Sequence, residues 1–330
     1  LIDRHTAFWN RAPVDRPLLN TTTSARQSTY ELRGLGLPLA DGTVLSPGTT
    51  HLTPEMIDPR LILDLQEFPR FAGQEPGDGP QTVDDLLVTR APLGKMTWVE
   101  AVMGCPVVPM LETGSIYSAP HLDSPGQLSR ISDPEQSPWL ELLLEYTRLL
   151  VEESEGRYQV VQCLQRGPID LVSALLGHTE MCLAIFDEPA QLERLTELCT
   201  ETFIKVARAQ ESIIPPLNGG RCTPFAVWAP GTVVRTQCDV TSSVSAAMYE
   251  ERFFPYDAEI CGNFDYSVVH LHSGYLHTVE VFLKHRYPTA IQVSLDTGAT
   301  PLTVHDLIPV FRRILEEKPL LIQGRMTRRD

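Results

Sequence analysis

The sequence predicts an α/β protein, a (β/α)8 TIM-type barrel with an elaborated N-terminal segment. From residue 135 onward, long stretches with helically spaced apolar residues alternate with short apolar runs of strand character. Roughly six or seven such runs follow one another, which favours a closed barrel over an open sheet. An open doubly wound sheet is the alternative, but no Gly-x-Gly-x-x-Gly sequence supports a nucleotide-binding fold.

The individual elements follow from the spacing of apolar residues. The predicted helices cover residues 138–153, 170–186, 189–211, 245–253, 275–285 and 304–317. The predicted strands cover residues 158–163, 224–228, 233–238, 267–272, 290–295 and 319–323, with an earlier one at 107–111. Strands that alternate with helices in this order predict parallel pairing through crossover connections.

The first part of the chain differs from the rest in composition. It is rich in Pro, Gly and Thr, and turn signals are dense between residues 34 and 80. We interpret residues 1–97 as an N-terminal cap with loops, packed on a barrel of residues 98–330, the two together forming one structural domain. Trp9, Phe68 and Phe71 require burial, which argues against a disordered tail.

Charge and cysteine usage restrict the partners. The formal net charge is −15, which disfavours nucleic acid and anionic membrane surfaces, so we expect a small-molecule substrate. No apolar run approaches the roughly 18 residues needed to span a bilayer, and residues 1–5 lack the features of a secretory signal. The 7 cysteines are scattered without Cys-x-x-Cys spacing, which predicts reduced thiols in a cytoplasmic protein.

Polar residues at strand ends supply the candidate site, because active sites of parallel barrels lie at the carboxyl ends of the strands. The catalytic candidates are Asp239, His270, His272 and Asp296. The substrate-binding candidates are Glu112, Tyr117, Arg166, Cys238 and Gln323.

His270 and His272 are two residues apart on a predicted strand, so their side chains point to the same face. They can form a proton-transfer pair or act as two metal ligands. Alternatively, one is a buried histidine bonded to a backbone carbonyl and the other lines a loop. Asp239 and Asp296 are open to two interpretations as well, either a general base or a carboxylate in a capping loop.

The order and spacing of several segments over roughly residues 98–330 resemble the uroporphyrinogen decarboxylase superfamily, which includes the decarboxylase and corrinoid-linked methyltransferases. The segments that carry the resemblance are Gln165-Arg166-Gly167-Pro168, Phe186-Asp187-Glu188-Pro189, Cys238-Asp239 with the following Ser245 and Phe253-Phe254-Pro255-Tyr256, and His270-Leu271-His272-Ser273-Gly274. The resemblance implies a (β/α)8 barrel with its active site in the mouth.

The resemblance also implies cofactors. Zinc-carrying methyltransferases of the superfamily hold the metal with a His and a Cys two residues apart and a distant Cys. Here His270 matches the His, whereas His272 stands where the Cys is expected, and no Cys follows Cys261. The resemblance therefore implies a corrinoid as methyl acceptor or donor, and zinc bound by His270 and His272 only with an altered ligand set. The decarboxylase's substrate-binding Arg-Gln-Ala-Gly-Arg segment is represented only by Arg26-Gln27.

Three functions follow as hypotheses. The first is methyl transfer from a small methylated substrate to a corrinoid, delivered by a corrinoid protein. The second is cofactor-independent decarboxylation of a small acid, with Arg166 and Arg235 facing the carboxylate. The third is a ligand-binding barrel without catalysis. The absence of Gly-x-Ser-x-Gly, His-Glu-x-x-His and P-loop sequences argues against common hydrolases and nucleotide kinases.

Overall fold

The computed structural model describes residues 1–20, 36–46, 48–65, 82–94, 96–111, 115–296 and 302–324. The helices are α1 (Ile2–Trp9), α2 (Pro59–Leu65), α3 (Trp98–Val102), α4 (Pro138–Ser154), α5 (Pro168–Leu176), α6 (His178–Asp187), α7 (Pro189–Glu211), α8 (Ala246–Arg252), α9 (Phe254–Gly262), α10 (Val279–Lys284) and α11 (Val304–Glu317). The strands are β1 (Thr82–Val83), β2 (Leu86–Leu87), β3 (Thr89–Arg90), β4 (Val107–Met110), β5 (Ser115–Ser118), β6 (Gln159–Val160), β7 (Arg221–Cys222), β8 (Trp228–Ala229), β9 (Val233–Gln237), β10 (Tyr266–His272), β11 (Ala290–Ser294) and β12 (Leu320–Gln323).

The main sheet consists of four parallel strands in the order β12-β11-β10-β9. The interiors of β9, β10 and β11 are almost continuously buried, as expected for parallel strands covered on both faces, and they include the buried polar residues Arg235, Thr236 and Gln292. The predictions of strands at residues 233–238, 267–272, 290–295 and 319–323, and of their parallel pairing, are confirmed.

A second parallel pair, β3 with β6, precedes the main sheet in sequence. The chain that follows β6 runs beside β9 without forming a strand: Gly167 N donates to Gln237 O at 2.8 Å, and Arg235 Nη1 donates to Gln165 O at 3.0 Å. The α/β class with parallel sheets is therefore confirmed. Within the described ranges, the hydrogen-bonded strands do not close into a continuous cylinder.

Two predicted strands differ in the structure. At residues 224–228 the chain forms a turn, because the Thr223 hydroxyl accepts hydrogen bonds from Phe225 N and Val227 N and Ala226 takes a φ of 62°. Only β8 remains, paired antiparallel with β7. The run at residues 107–111 does contain a strand, β4, but it pairs antiparallel with β5 in a hairpin outside the parallel sheet. A short apolar run in the sequence does not show whether it forms a parallel strand, a hairpin strand or a turn.

Helix α1 packs against the amino-terminal ends of the strands of the main sheet. Trp9 shares an apolar cluster with Val233, Val268 and Ala290, which lie near the starts of β9, β10 and β11. Its indole Nε1 donates to Trp228 O at 2.7 Å. The opposite, carboxyl ends of these strands carry the candidate site.

None of the described helices is by itself long and apolar enough to cross a membrane. Helices α5 and α6, which meet at a bend of 106°, pass that test of length and composition only when taken together.

Candidate active site

The catalytic candidates meet at the carboxyl edge of the main sheet. Asp239 follows β9, His270 and His272 end β10, and Asp296 follows β11. Because β9, β10 and β11 are parallel and adjacent, their carboxyl ends lie at one edge. The four side chains that sequence analysis selected are therefore brought together.

The two histidines face each other through their Nε2 atoms, which are 3.2 Å apart. His270 Nδ1 is hydrogen-bonded to the side-chain oxygen of Gln292, and His272 Nδ1 lies 2.5 Å from Asp296 Oδ1. Because both Nδ1 atoms donate to oxygen acceptors, each Nε2 of the neutral rings carries a lone pair. The two lone pairs are directed toward a common region.

Asp239 adds an oxygen to this region. Its Oδ1 lies 3.7 Å from His272 Nε2, and the ligand atoms of Asp239, His270 and His272 are all within 4.8 Å of one another. The other oxygen accepts a hydrogen bond from Gln237 Nε2. Oδ1 itself is buried and accepts no hydrogen bond from the described residues. Three atoms with free electron pairs thus converge.

Asp296 is fixed by its own loop as well as by His272. Gly274 N donates to Asp296 Oδ2 at 2.8 Å, and Asp296 N donates to Ser273 Oγ at 2.9 Å. Burial alone would raise the pKa of Asp296, but the hydrogen bonds from His272 and Gly274 lower it below its ordinary value. An ionised carboxylate therefore orients His272 at neutral pH.

Asp170, in the first turn of α5, is a residue of this site that sequence reasoning missed. It is buried, and its two carboxyl oxygens accept hydrogen bonds from Asp239 N at 3.0 Å and Val240 N at 2.8 Å. Burial, and then the negative charge of Asp239, raise the pKa of Asp170. In the sequence it resembled an ordinary acidic residue at a helix start.

A buried cation lies near the histidine pair. Arg235 is 6% exposed and its guanidinium is 5.8 Å from the Phe225 ring, which stacks on the His270 ring with centroids 6.1 Å apart. Burial, and then the charge of Arg235, lower the pKa of His270 to about 3. His270 is consequently neutral over the ordinary pH range. Arg235 remains charged, because burial lowers its pKa only to about 10.

Tyr275 forms part of the wall beside His272, their ring centroids being 5.5 Å apart. Burial, and then the charges of Asp239 and Asp170, raise the pKa of the Tyr275 phenol above its ordinary value. It is therefore a protonated hydroxyl at the site. Sequence analysis placed Tyr275 in a helix and assigned it no role.

The structure places the remaining predicted residues elsewhere. Arg166 Nε lies 3.2 Å from Glu100 Oε1, and Cys238 is fully buried. Tyr117 is on β5 with 41% exposure, and Gln323 ends β12 beside Ser294. Among the described residues, none of these four makes a hydrogen bond or ion pair with the histidine pair. Glu112 lies outside the described residues, and all five substrate-binding assignments stay predictions.

The site is open to the exterior. The side chains of His272, Asp239 and Asp296 are 30%, 35% and 34% exposed. A cavity of about 290 Å³, lined by residues of α6 to α9, shares no residue with this site. The converging atoms are therefore reached from the carboxyl edge of the sheet.

Comparison with known proteins gives two matches. The model of the family described as uroporphyrinogen decarboxylase (URO-D) matches residues 93–212. Among solved structures, a methyltransferase from Methanosarcina mazei is similar in fold, with a TM-score of 0.51 and 16% identity, covering 97% of this chain and 90% of that chain. No curated protein sequence matches the chain. The segment matched by the family model ends before β9, so it does not include the histidine pair.

Proposed function

We propose that this uroporphyrinogen decarboxylase-like chain transfers a methyl group from a small methylated substrate to a corrinoid carried by a partner protein. The observation that carries the proposal is the convergence of His270 Nε2, His272 Nε2 and Asp239 Oδ1 at the carboxyl edge of a parallel sheet. Similarity in fold to a methyltransferase supports it. The proposal includes a (β/α)8 barrel, with β6 and β9 to β12 among its eight strands, and a cap of residues 1–97 from which β3 pairs with β6.

The chemistry of methyl transfer explains why such a cluster is needed. When the methyl carbon leaves its donor atom, that atom keeps the electron pair of the broken bond. A proton or a cation at that atom stabilises the leaving group. The converging atoms can supply either one, since two imidazoles and a carboxylate bind protons and metal ions alike.

His272 is the residue best placed to supply a proton. The Asp296 carboxylate at its Nδ1 holds the ring, so that Nε2 faces the open side of the site, where proton exchange with a substrate would take place. His270, with its lowered pKa, stays neutral and acts as an acceptor. The Tyr275 hydroxyl is a second donor next to His272. Asp170 fixes the position of Asp239, because its carboxyl oxygens accept hydrogen bonds from the backbone N–H groups of the loop after β9.

The corrinoid, when bound, supplies the nucleophilic cobalt that accepts the methyl group. The exposure of His272, Asp239 and Asp296 supports access for a large cofactor presented by another protein. The aromatic rings of Phe225 and Tyr275 flank the histidines and offer apolar surface to a small methylated substrate.

Zinc with thiolate ligands does not fit this site. The 7 cysteines of the chain are all among the described residues, and none joins the group of Asp239, His270 and His272. Cys238, the cysteine nearest in sequence, is fully buried, and burial raises its pKa well above the ordinary value. No step of the proposed reaction uses a thiolate-bound metal.

The test is methyl transfer to free cob(I)alamin, followed by the change in its absorbance. Methylated amines, thiols, ethers and alcohols are offered as donors to the wild-type protein. We expect methylcobalamin with at least one donor class, and no reaction without protein. Failure of every donor, with cob(I)alamin intact, overturns the proposal.

Decarboxylation is a second candidate because of Arg235. The Nε atom of this buried guanidinium has no hydrogen-bond partner among the described residues, and a carboxylate would satisfy it if substrate binding opened a path to it. Carbon dioxide released from small acids, without any methyl transfer, would select this reaction. A protein without either activity, whose cellular role survives alanine at both His270 and His272, would be a ligand-binding barrel.

A further inference from the structure

A groove between four helices lies apart from the histidine pair. It is the cavity of about 290 Å³ between the end of α6, the start of α7 and the junction of α8 with α9, and we call it the α6–α9 groove. Among its lining residues, Leu192 and Phe253 are buried and form an apolar floor. Glu193, Glu251 and Glu259 are exposed and form its rim. The groove therefore combines an apolar floor with an acidic rim.

The negative charge of the rim is not compensated. Arg252 Nε lies 3.4 Å from Glu251 Oε1, so these two residues offset each other. Within the described residues, the carboxylates of Glu193 and Glu259 have no hydrogen-bond or ion-pair partner. Burial, and then the charges of Glu193 and neighbouring glutamates, raise the pKa of the Tyr256 phenol in the same groove. Two carboxylates are thus available to a cation from outside the chain.

Helix α6 exposes apolar side chains beside the groove. Leu183 and Phe186 are 51% and 72% exposed, and Phe186 directly follows Ile185, which lines the groove. Exposed large apolar side chains next to a polar rim are typical of protein contact surfaces. Small-molecule sites usually have volumes of roughly 300–1,000 Å³, so this groove is better suited to a single long side chain.

The helices that form the groove begin at the loop that carries Asp239. His178 Nε2, at the start of α6, lies 2.9 Å from Ser243 Oγ, and Ser245 Oγ caps α8 by accepting from Met248 N at 3.2 Å. Both serines follow Asp239 in the segment after β9. From there α6 and α8 run about 10–15 Å to their ends at the groove. A protein that covers the candidate active site therefore reaches the groove as well.

We propose that the α6–α9 groove docks a basic segment of the partner protein that presents the corrinoid. A lysine or arginine side chain of this segment lies between Glu193 and Glu259, and an apolar side chain packs on Phe186. Charge complementarity favours this occupant, because a second copy of the chain carries the same formal net charge of −15 and is repelled. The identity of the partner rests on the proposed methyl transfer, whereas the chemistry of the groove does not.

The test uses the full chain and a short fluorescein-labelled peptide with lysine and leucine at helical spacing. Fluorescence anisotropy should show binding to the wild type, with an affinity that falls as the salt concentration rises. The same peptide with glutamate in place of each lysine should not bind. Glu193→Gln/Glu259→Gln and Phe186→Ala should each weaken binding of the basic peptide by about 5- to 10-fold.

Two matched variants serve as controls. Glu141→Gln/Glu152→Gln removes the same charge from exposed positions of α4, and Leu315→Ala removes a 52% exposed apolar side chain from α11. Both should bind the basic peptide like the wild type. Methyl transfer to free cob(I)alamin should be unchanged in the groove variants, because their residues lie outside the candidate active site.

Several results would overturn the proposal. Without peptide binding, or with an equal loss in the α4 control, only the net charge of the chain would remain as an explanation. Equal binding of the acidic peptide would exclude charge complementarity. A wild-type dimer in sedimentation, dissociated by Phe186→Ala, would assign the surface to a second copy. Peptide binding at the groove in a chain that transfers no methyl group would reject the proposed function alone, whereas methyl transfer without peptide binding would reject the docking surface alone.

Discussion

At the scale of single residues, the site depends on how each histidine is held at Nδ1. His272 has an ionised partner, Asp296, whereas His270 has a neutral one, Gln292. The two rings of the His270-Leu271-His272 segment therefore have different chemical surroundings. His270 is kept neutral by burial and by Arg235, while His272 faces two carboxylates.

We expect Asp296→Asn to lower the rate of methyl transfer by about 100-fold. An amide removes the negative charge at His272 Nδ1, and its single oxygen cannot replace both carboxylate acceptors. The cob(I)alamin assay measures the rate. Asp187→Asn, on an exposed residue at the end of α6, is the matched control. An unchanged rate would show that Asp296 does not orient His272.

The four catalytic candidates could be predicted because each follows an apolar run at a strand end. Asp170 could not, because it reaches the site from a helix start and contacts the backbone at Asp239, about seventy residues away in sequence. The role of Gln292 as the partner of His270 could not be predicted for another reason. It lies inside β11, and only the parallel register places it beside His270.

At the scale of elements, the segment that follows β6 packs tightly against β9. A methyl group on Gly167 would clash with Gln237 O and would lie 2.7 Å from Thr236 Oγ1 and 2.9 Å from Asp257 Oδ1. The backbone hydrogen bond from Gly167 to Gln237 keeps the two segments together. This close approach also fixes the end of β9, from which Asp239 follows.

Gly167→Ala should therefore lower the free energy of unfolding by about 3 kcal/mol, since overpacking typically costs 1–3 kcal/mol and backbone atoms cannot move aside. Denaturant unfolding measures the loss. The control is Gly126→Ala, where the added methyl group would have no neighbour closer than 3.6 Å. Equal stability of the two variants would contradict the close packing.

Asp257 joins α9 to α8 and β9. It accepts hydrogen bonds from Tyr249 Oη at 2.7 Å and Thr236 Oγ1 at 2.9 Å, and burial raises its pKa from 3.8 to about 6. Between these values the unfolded chain binds fewer protons than the folded one. Asp257 therefore stabilises the fold less as the pH rises from about 4 to about 6.

Asp257→Asn should remove this dependence, because the amide does not ionise and still offers an acceptor oxygen. Relative to wild type, the variant should gain about 2 kcal/mol in free energy of unfolding between pH 4 and pH 6. Denaturant unfolding at a series of pH values gives the difference. A difference that stays constant with pH would mean that the carboxyl group titrates normally in the folded protein.

Strands β9 to β12 could be predicted, since each is an apolar run followed by polar or turn-forming residues. The hairpins could not be told from parallel strands, because β4 has the same apolar character as a barrel strand and only its partner differs. The turn at residues 224–228 depends on the Thr223 hydroxyl and on the positive φ of Ala226. The spacing of apolar residues in the sequence indicates neither of them.

At the scale of the whole molecule, the two ends of the main sheet carry different groups of residues. Helix α1 packs at the amino ends of the strands, where Trp9 donates to Trp228 O and His5 Nδ1 accepts from Trp228 N. The catalytic candidates occupy the carboxyl ends. Stability and chemistry are thus expected to be separable in this chain.

Trp9→Phe should lower the free energy of unfolding by about 1–2 kcal/mol, because the buried Trp228 carbonyl loses its donor. The rate of methyl transfer should not change under conditions where the variant is folded. Unfolding and the cob(I)alamin assay on the same preparation test both parts. A rate that falls together with stability would contradict the separation of the two ends.

The α/β class could be predicted from the alternation of helices and strands, and the order of a few short segments indicated the resemblance that the family model supports over residues 93–212. The closed barrel stays a prediction, because closure depends on pairings between strands far apart in sequence and the described strands do not form a closed sheet. β3 and β6, for example, are two-residue strands separated by about seventy residues, and their pairing is visible only in three dimensions.

The central claim is that the converging atoms of Asp239, His270 and His272 act on the methyl donor. Single-turnover methyl transfer to cob(I)alamin, with the donor class found for the wild type, tests it most directly. We predict that the double variant His270→Ala/His272→Ala reacts at least about 100-fold more slowly, while His305→Ala matches the wild type. A folded double variant that reacts at the wild-type rate would contradict the claim and place the chemistry elsewhere.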